Sequence, residues 1–142
     1  MRGPATIRKV ELDRIRVLIV DHTALLREGL SVLIRFHSDM ELTGVAESGD
    51  ESVRLFRDRR PDVVLMDLDL ASGAGISAIQ AIRAINPSAR VIGLCTYEWD
   101  GSNTEALRAG AWNCLAKDRL NSELIAMVRK CHSEGCNRAN ER

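Results

Sequence analysis

Several polar residues stand directly behind short apolar runs, where a fold could pool their chemistry. Asp21 and His22 follow VLIV at 17–20, Asp67 follows VVLM at 63–66, Cys95 and Thr96 follow VIGL at 91–94, and Lys117 follows the run that ends at Ala116. In an open parallel α/β sheet, functional groups gather in the crevice at the carboxyl ends of the strands. Two carboxylates and an ammonium crowded there are costly, because like charges raise each other's pKa unless a cation intervenes. A divalent metal would relieve that cost. Magnesium takes one or two carboxylates, several waters and a phosphate oxygen, so this set suits phosphoryl transfer. A plainer reading also stands: strand-end aspartates cap the helix that follows, and Lys117 is one more solvated charge. Position alone leaves both readings open.

The elements that would bring these residues together are legible. Five apolar runs, Arg16 to Val20, Glu41 to Ala46, Val63 to Met66, Val91 to Leu94 and Trp112 to Ala116, alternate with stretches of helical periodicity. That alternation is the signature of repeated βαβ units on a parallel sheet. VLIV and VVLM are apolar at successive positions, as strands covered by helices on both faces are. Leu25, Leu26, Leu30, Leu33 and Ile34 form the stripe of a first helix, with Thr23 as its expected N-cap. Further stripes run through Val53, Leu55 and Phe56, through Ile76, Ile79, Ile82 and Ile85, and through Leu124, Ile125 and Val128. Pro61 and Pro87 punctuate helix ends ahead of strands. The connection from Tyr97 to Ala109 is the weak one, since Asp100, Gly101, Ser102 and Asn103 are poor formers of a first helical turn.

Composition narrows the class. The 142 residues are 45% hydrophobic, enough for one core, and the 20 basic and 20 acidic residues cancel. No overall field draws the chain to nucleic acid or to an anionic membrane. No apolar stretch is long enough to span a bilayer, and MRGPATIRKVELDR lacks the apolar centre of a secretory signal, so a cytoplasmic location is expected. Cys95, Cys114, Cys131 and Cys136 form no CxxC pair and read as reduced thiols. Cys131 and Cys136 flank His132, which an ordinary helix end explains better than a metal site.

VLIVD at 17–21 with ALLREGL at 24–30, PDVVLMDLDL at 61–70 with Gly75, and ALRAGA at 106–111 with Lys117 resemble the receiver domain of bacterial two-component response regulators, in particular its NarL/FixJ-like branch. The resemblance covers about residues 15 to 134, leaving an N-terminal extension at 1–14 and a C-terminal tail at 135–142. It implies a flavodoxin-like, doubly wound (βα)5 fold with a five-stranded parallel sheet in the order 2-1-3-4-5. It also implies a phosphoacceptor role with slow self-dephosphorylation, and not a conventional enzyme.

By the same resemblance Asp67 matches the phosphoacceptor, Lys117 the lysine that contacts the phosphoryl group, and Asp21 a carboxylate that binds Mg2+. Asp69 stands where a backbone carbonyl completes the metal shell. Three positions depart from the family. His22 replaces a second acidic residue, and imidazole is a poor ligand for a hard cation, so reduced magnesium affinity is expected. Cys95 stands at the switch hydroxyl, and a thiol is a weak donor. Thr96 is adjacent, but consecutive strand residues face opposite sides, so it does not simply take over. Cys114 stands at the aromatic switch and has no ring to swing. Cys95 and Cys114, on neighbouring strands, raise a redox-switch reading, against which buried thiols usually act as small hydrophobes.

Two functions follow from these residues. One is a phosphorylatable receiver served by a sensor histidine kinase, with a homodimer through the face around the fourth and fifth helices. The other is a pseudo-receiver that acts as a binding or dimerisation module without phosphate. A flavodoxin-like cofactor enzyme is disfavoured by the lack of a hydroxyl-rich phosphate loop after the first strand. The branch usually carries a DNA-binding helix-turn-helix, and none is encoded here; the chain alone is expected to touch neither DNA nor membrane, with a DNA-binding output left to a longer protein. Trp99, expected just past the fourth strand, would serve as a fluorescent reporter.

Overall fold

The structure is a computed structural model that describes residues 13–96 and 101–140, with side chains described up to Glu134. Trp99 and the side chain of Cys136 lie outside the described residues. The strands are β1 (Ile15–Val20), β2 (Met40–Ala46), β3 (Val63–Asp67), β4 (Arg90–Cys95) and β5 (Asn113–Ala116). The helices are α1 (Ala24–Phe36), α2 (Gly49–Arg59), α3 (Ala74–Ile85), α4 (Ser102–Ala109) and α5 (Leu120–Asn140), with 3-10 turns at Ala71–Gly73 and Lys117–Arg119. All strands pair in parallel in the order β2-β1-β3-β4-β5. Fold and strand order are those implied by the sequence. The last helix runs on to Asn140, so residues 135–140 extend it.

Strand alternation divides the core in two. Ile15, Val17, Ile19, Leu65, Ile92, Leu94 and Leu115 pack with Leu30 and Ile34 of α1 and Leu124 and Val128 of α5. Leu18, Val20, Val64, Met66, Val91 and Cys95 face Phe56 of α2, Ile79 and Ile82 of α3 and Ala106 of α4. Both faces of the central strands are therefore dry, which is why β1, β3 and β4 read as apolar runs, while the edge strands carry exposed Glu41 and Asn113.

Local chemistry sets the helix ends. The Ser48 side chain accepts from Glu51 N–H at 3.2 Å and starts α2, and Arg60, left-handed at φ 48°, stops it ahead of Pro61. Thr23 occupies the N-cap of α1, but its side chain makes no cap hydrogen bond; its own N–H instead donates to Asp21 Oδ1 at 2.8 Å. Leu25, placed in the apolar stripe by periodicity, points outward at 79% exposure, with Val32 at 69% and Phe36 at 83% further along α1. The weak fourth helix is eight residues long, entered through Gly101 at φ 87° and left through Gly110 at φ 118°. Among the described residues no helix is long and apolar enough to cross a membrane.

One close approach shapes the region behind Asp67. A Cβ on Gly75 would lie 2.4 Å from the Asp67 carbonyl oxygen, so only glycine lets the first turn of α3 sit against the end of β3.

Candidate functional site

The site is built by strand parity. Asp67 follows Leu65 on the α1/α5 side of the sheet, Asp21 follows Ile19, and Lys117 follows Leu115, so all three side chains leave their strands on that side. Asp21 and Asp67 are fully buried, and the Lys117 side chain is 18% exposed. Lys117 Nζ lies 2.8 Å from Asp67 Oδ1, 3.3 Å from Asp21 Oδ2 and 3.2 Å from Asp69 Oδ2. It is thus no solvated surface charge. Asp21 does not cap α1: Oδ1 accepts from the N–H of Thr23, the N-cap residue itself, and among the described residues the buried Oδ2 has no hydrogen-bond partner and is ion-paired with Lys117.

Both oxygens of Asp67 are engaged. Oδ1 accepts from Lys117 Nζ and from Asp69 N–H, each at 2.8 Å. Oδ2 accepts from His22 N–H at 3.1 Å and lies 2.5 Å from His22 Nδ1. Burial alone would raise the Asp67 pKa, but the hydrogen bonds from Lys117, His22 and the two backbone N–H groups outweigh it and hold the carboxyl below its ordinary value. Burial likewise works against the Lys117 ammonium, and Asp67, Asp21 and Asp69 overcome it, so its pKa is raised. The acceptor is ionised and clamped.

The residues at the end of β4 separate. Cys95 is fully buried on the α2–α4 side with Sγ 3.7 Å from the Leu115 carbonyl, so it does not reach Asp67. Thr96, one residue past the strand, has the opposite parity and hydrogen-bonds the Asp69 carboxylate through Oγ1. The alternation that seemed to disqualify Thr96 is what delivers it: Asp67 pairs in register with Leu94, and Thr96 shares the parity of Leu94. Cys114 is half-buried against the α2–α4 core, with Sγ 3.9 Å from the Asn103 carbonyl.

Cys95, Cys114 and Cys131 form no disulfide. Gly93 pairs with Cys114 and Cys95 with Ala116, so Cys95 and Cys114 are diagonal neighbours. With strands about 4.8 Å apart and a rise of about 3.3 Å per residue, such neighbours stand about 8 Å apart, beyond the ~4.4–6.8 Å Cα separation of a disulfide.

A cleft of about 470 Å³ opens over this cluster, lined by His22, Thr23, Leu25, Leu26, Asp69, Thr96 and Lys117. Among the described residues, the ligand atoms of Asp21, His22 and Asp67 lie within 4.8 Å of one another, close enough to share an ion. Three carboxylates face one ammonium here, leaving an excess of negative charge that a dication would balance. The carboxylates suit magnesium; the imidazole of His22 does not.

The fold and this rim define a two-component signalling domain: residues 17–129 match the family described as the response regulator receiver domain, and the chain belongs to it. Its relatives include the transcriptional regulatory protein YxjL of Bacillus subtilis (strain 168), 36% identical over 117 residues that cover 82% of this chain and 54% of YxjL. Among solved structures, a LuxR-family response regulator from Aurantimonas sp. SI85-9A1 is similar with TM-score 0.80 and 28% identity, over 85% of this chain and 86% of that one. The receiver domain of the response regulator NarL from Mycobacterium tuberculosis is similar with TM-score 0.79 and 26% identity, over 85% and 98%. The chain spans about half the length of the curated relatives it matches. Receiver domains are phosphoacceptors that work with sensor histidine kinases and generally bind Mg2+ at an acidic site.

Proposed function

We propose that Asp67 accepts a phosphoryl group from the phosphohistidine of a sensor kinase. The observation that supports this most is the buried, ionised Asp67 with Lys117 Nζ 2.8 Å from Oδ1 and Asp21 beside it. An Asp67 oxygen attacks phosphorus, the new O–P bond forms as the N–P bond breaks, and the departing imidazole takes a proton from water. Most of the barrier in such a transfer is met by positioning and charge neutralisation. Lys117 spreads its charge over the incoming phosphoryl oxygens, and Asp21 keeps Lys117 in place. Magnesium bound by Asp21, Asp67 and the Asp69 carbonyl would supply further neutralisation. Thr96 Oγ1, on the rim beside Asp69, is the hydroxyl placed to close on the phosphoryl group, in the role that the sequence pattern gave to Cys95. Slow self-dephosphorylation, a cytoplasmic location and an output in transcription regulation through a DNA-binding part of a longer protein belong to the same reading. So does homodimerisation through the face around α4 and α5, where Leu107 is 49% exposed.

Intact-mass measurement after incubation with acetyl phosphate and Mg2+ tests it: wild type gains one phosphoryl group and Asp67→Asn gains none. The second reading, a phosphate-independent pseudo-receiver, draws on the His22 imidazole seated on Asp67 Oδ2. It prevails if no adduct forms with any divalent metal.

A further inference from the structure

The residue that departs from the acidic pattern is also the one closest to the acceptor. We propose that Asp21, His22 and Asp67 form a site for a borderline first-row dication of the zinc class, with the His22 imidazole as a nitrogen ligand. This rests on the reading that the rim of Asp67 holds a metal, and it changes which metal the rim selects.

The donor atoms are on hand. His22 Nδ1 stands 2.5 Å from Asp67 Oδ2 and 3.9 Å from Asp21 Oδ1. Zinc-to-nitrogen and zinc-to-oxygen bonds are about 2.0–2.2 Å, so ligands of one ion stand about 3–4 Å apart. The imidazole, 2.5 Å from Asp67 Oδ2, therefore has to withdraw by roughly 0.5–1.5 Å, about 0.9 Å for a tetrahedral ion. Its side chain is 52% exposed and opens on the cleft, so nothing packed has to move with it. The carboxylates cannot easily retreat, because both are fully buried.

A second feature calls for a cation independently of the histidine. Asp21 Oδ2 is buried without a hydrogen-bond partner, and the one ammonium beside it is shared with Asp67 and Asp69. An ion held between the two carboxylates would take up the uncompensated charge of Asp21 and leave Lys117 on Asp67 Oδ1, where it already lies. Two carboxylates and an imidazole with an open side toward the cleft resemble the donor sets that hold zinc while keeping a position for another ligand. Magnesium gains little from the nitrogen, whereas cobalt, nickel and zinc gain much.

Isothermal titration of the 142-residue chain with zinc and, separately, magnesium tests this in wild type, His22→Ala and His22→Asp. His22→Ala should weaken zinc binding about tenfold or more while leaving magnesium unchanged or tighter, and His22→Asp should shift the preference toward magnesium. Long-range proton–nitrogen spectra supply the direct readout: zinc should move the His22 ring nitrogens and leave those of His37 and His132 in place. Zinc that binds His22→Ala as tightly as wild type, or that moves His132 and not His22, overturns the proposal. If the chain takes a phosphoryl group in magnesium yet shows no ligation by His22, this inference fails alone. If zinc binds through His22 and no phosphoryl group is ever accepted, only the phosphoacceptor reading fails.

Discussion

His22 Nδ1 lies 2.5 Å from Asp67 Oδ2, and the same oxygen also accepts the His22 backbone N–H at 3.1 Å. One residue thus occupies the side of the acceptor carboxylate that Lys117 leaves open. A nucleophile held in this way must give up a hydrogen bond before it can attack, and bonds to charged groups contribute about 1.5–3 kcal/mol each.

Removing the ring should therefore speed the reaction in magnesium. His22→Ala is expected to form the phosphoryl adduct from acetyl phosphate about tenfold faster than wild type, followed by intact mass against time. An unchanged or slower rate would mean that the ring does not restrain Asp67.

Thr96 and Cys95 should part company under mutation. Thr96→Ala removes the hydroxyl at Asp69 and is expected to reduce the spectral changes that beryllofluoride induces around the cleft, with little loss of stability. Cys95→Ala removes a fully buried sulfur and should cost about 1 kcal/mol in urea unfolding while leaving the response to beryllofluoride intact. Comparison of amide spectra with and without beryllofluoride, beside denaturation curves, separates the two.

Gly75→Ala places a methyl group 2.4 Å from the Asp67 carbonyl oxygen, which is backbone and cannot rotate aside. Overpacking of this kind costs about 1–3 kcal/mol. A lower urea midpoint with an unchanged slope is the expected result, together with slower adduct formation as the end of β3 shifts.

Alkaline pH gives a further test. Burial pushes the Cys131 thiol up to about 12, with Arg90 opposing the shift and Glu134 adding to it. In the unfolded chain the thiol ionises near its ordinary 9.0, so above that pH the unfolded state releases its proton first. This contribution to stability is complete below pH 9 and is lost as pH rises toward about 12. Urea unfolding at several alkaline pH values should fall less steeply for Cys131→Ala than for wild type, by up to about 1.4 kcal/mol per pH unit.

The central strands were legible because each is a run of apolar residues, the edge strands β2 and β5 because shorter apolar stretches surround Glu41, Thr43 and Asn113, and the observed ends lie within a residue or two of the runs. Asp21, Asp67 and Lys117 could be found from their position behind those runs. The same reasoning could not rank Cys95 against Thr96, since that requires knowing which faces of β3 and β4 coincide. The pairing of Asp67 with Leu94 supplies that knowledge. Leu25 escaped the periodicity for a related reason: a stripe gives the width of an apolar face, and Leu25 lies outside the part that α1 presents to the sheet. The resemblance put His22 in the metal rim beside Asp21, but its contact with Asp67 Oδ2 depends on how β1 and β3 pair and was not legible.

The strand order carries a consequence for folding. β1 lies between β2 and β3, pairing Val17 with Val63, and the cleft draws its groups from positions as far apart as Asp21, Asp67 and Lys117. Contacts of such long range must repay the entropy of closing long loops, and the rim needs β1, β3 and the end of β5 in place together. The metal and phosphoryl rim therefore does not exist in a half-assembled chain. Any ligand that binds there pulls on the folding equilibrium of the entire sheet, so its affinity is readable as a shift of one cooperative melting transition and not as local stiffening of a loop.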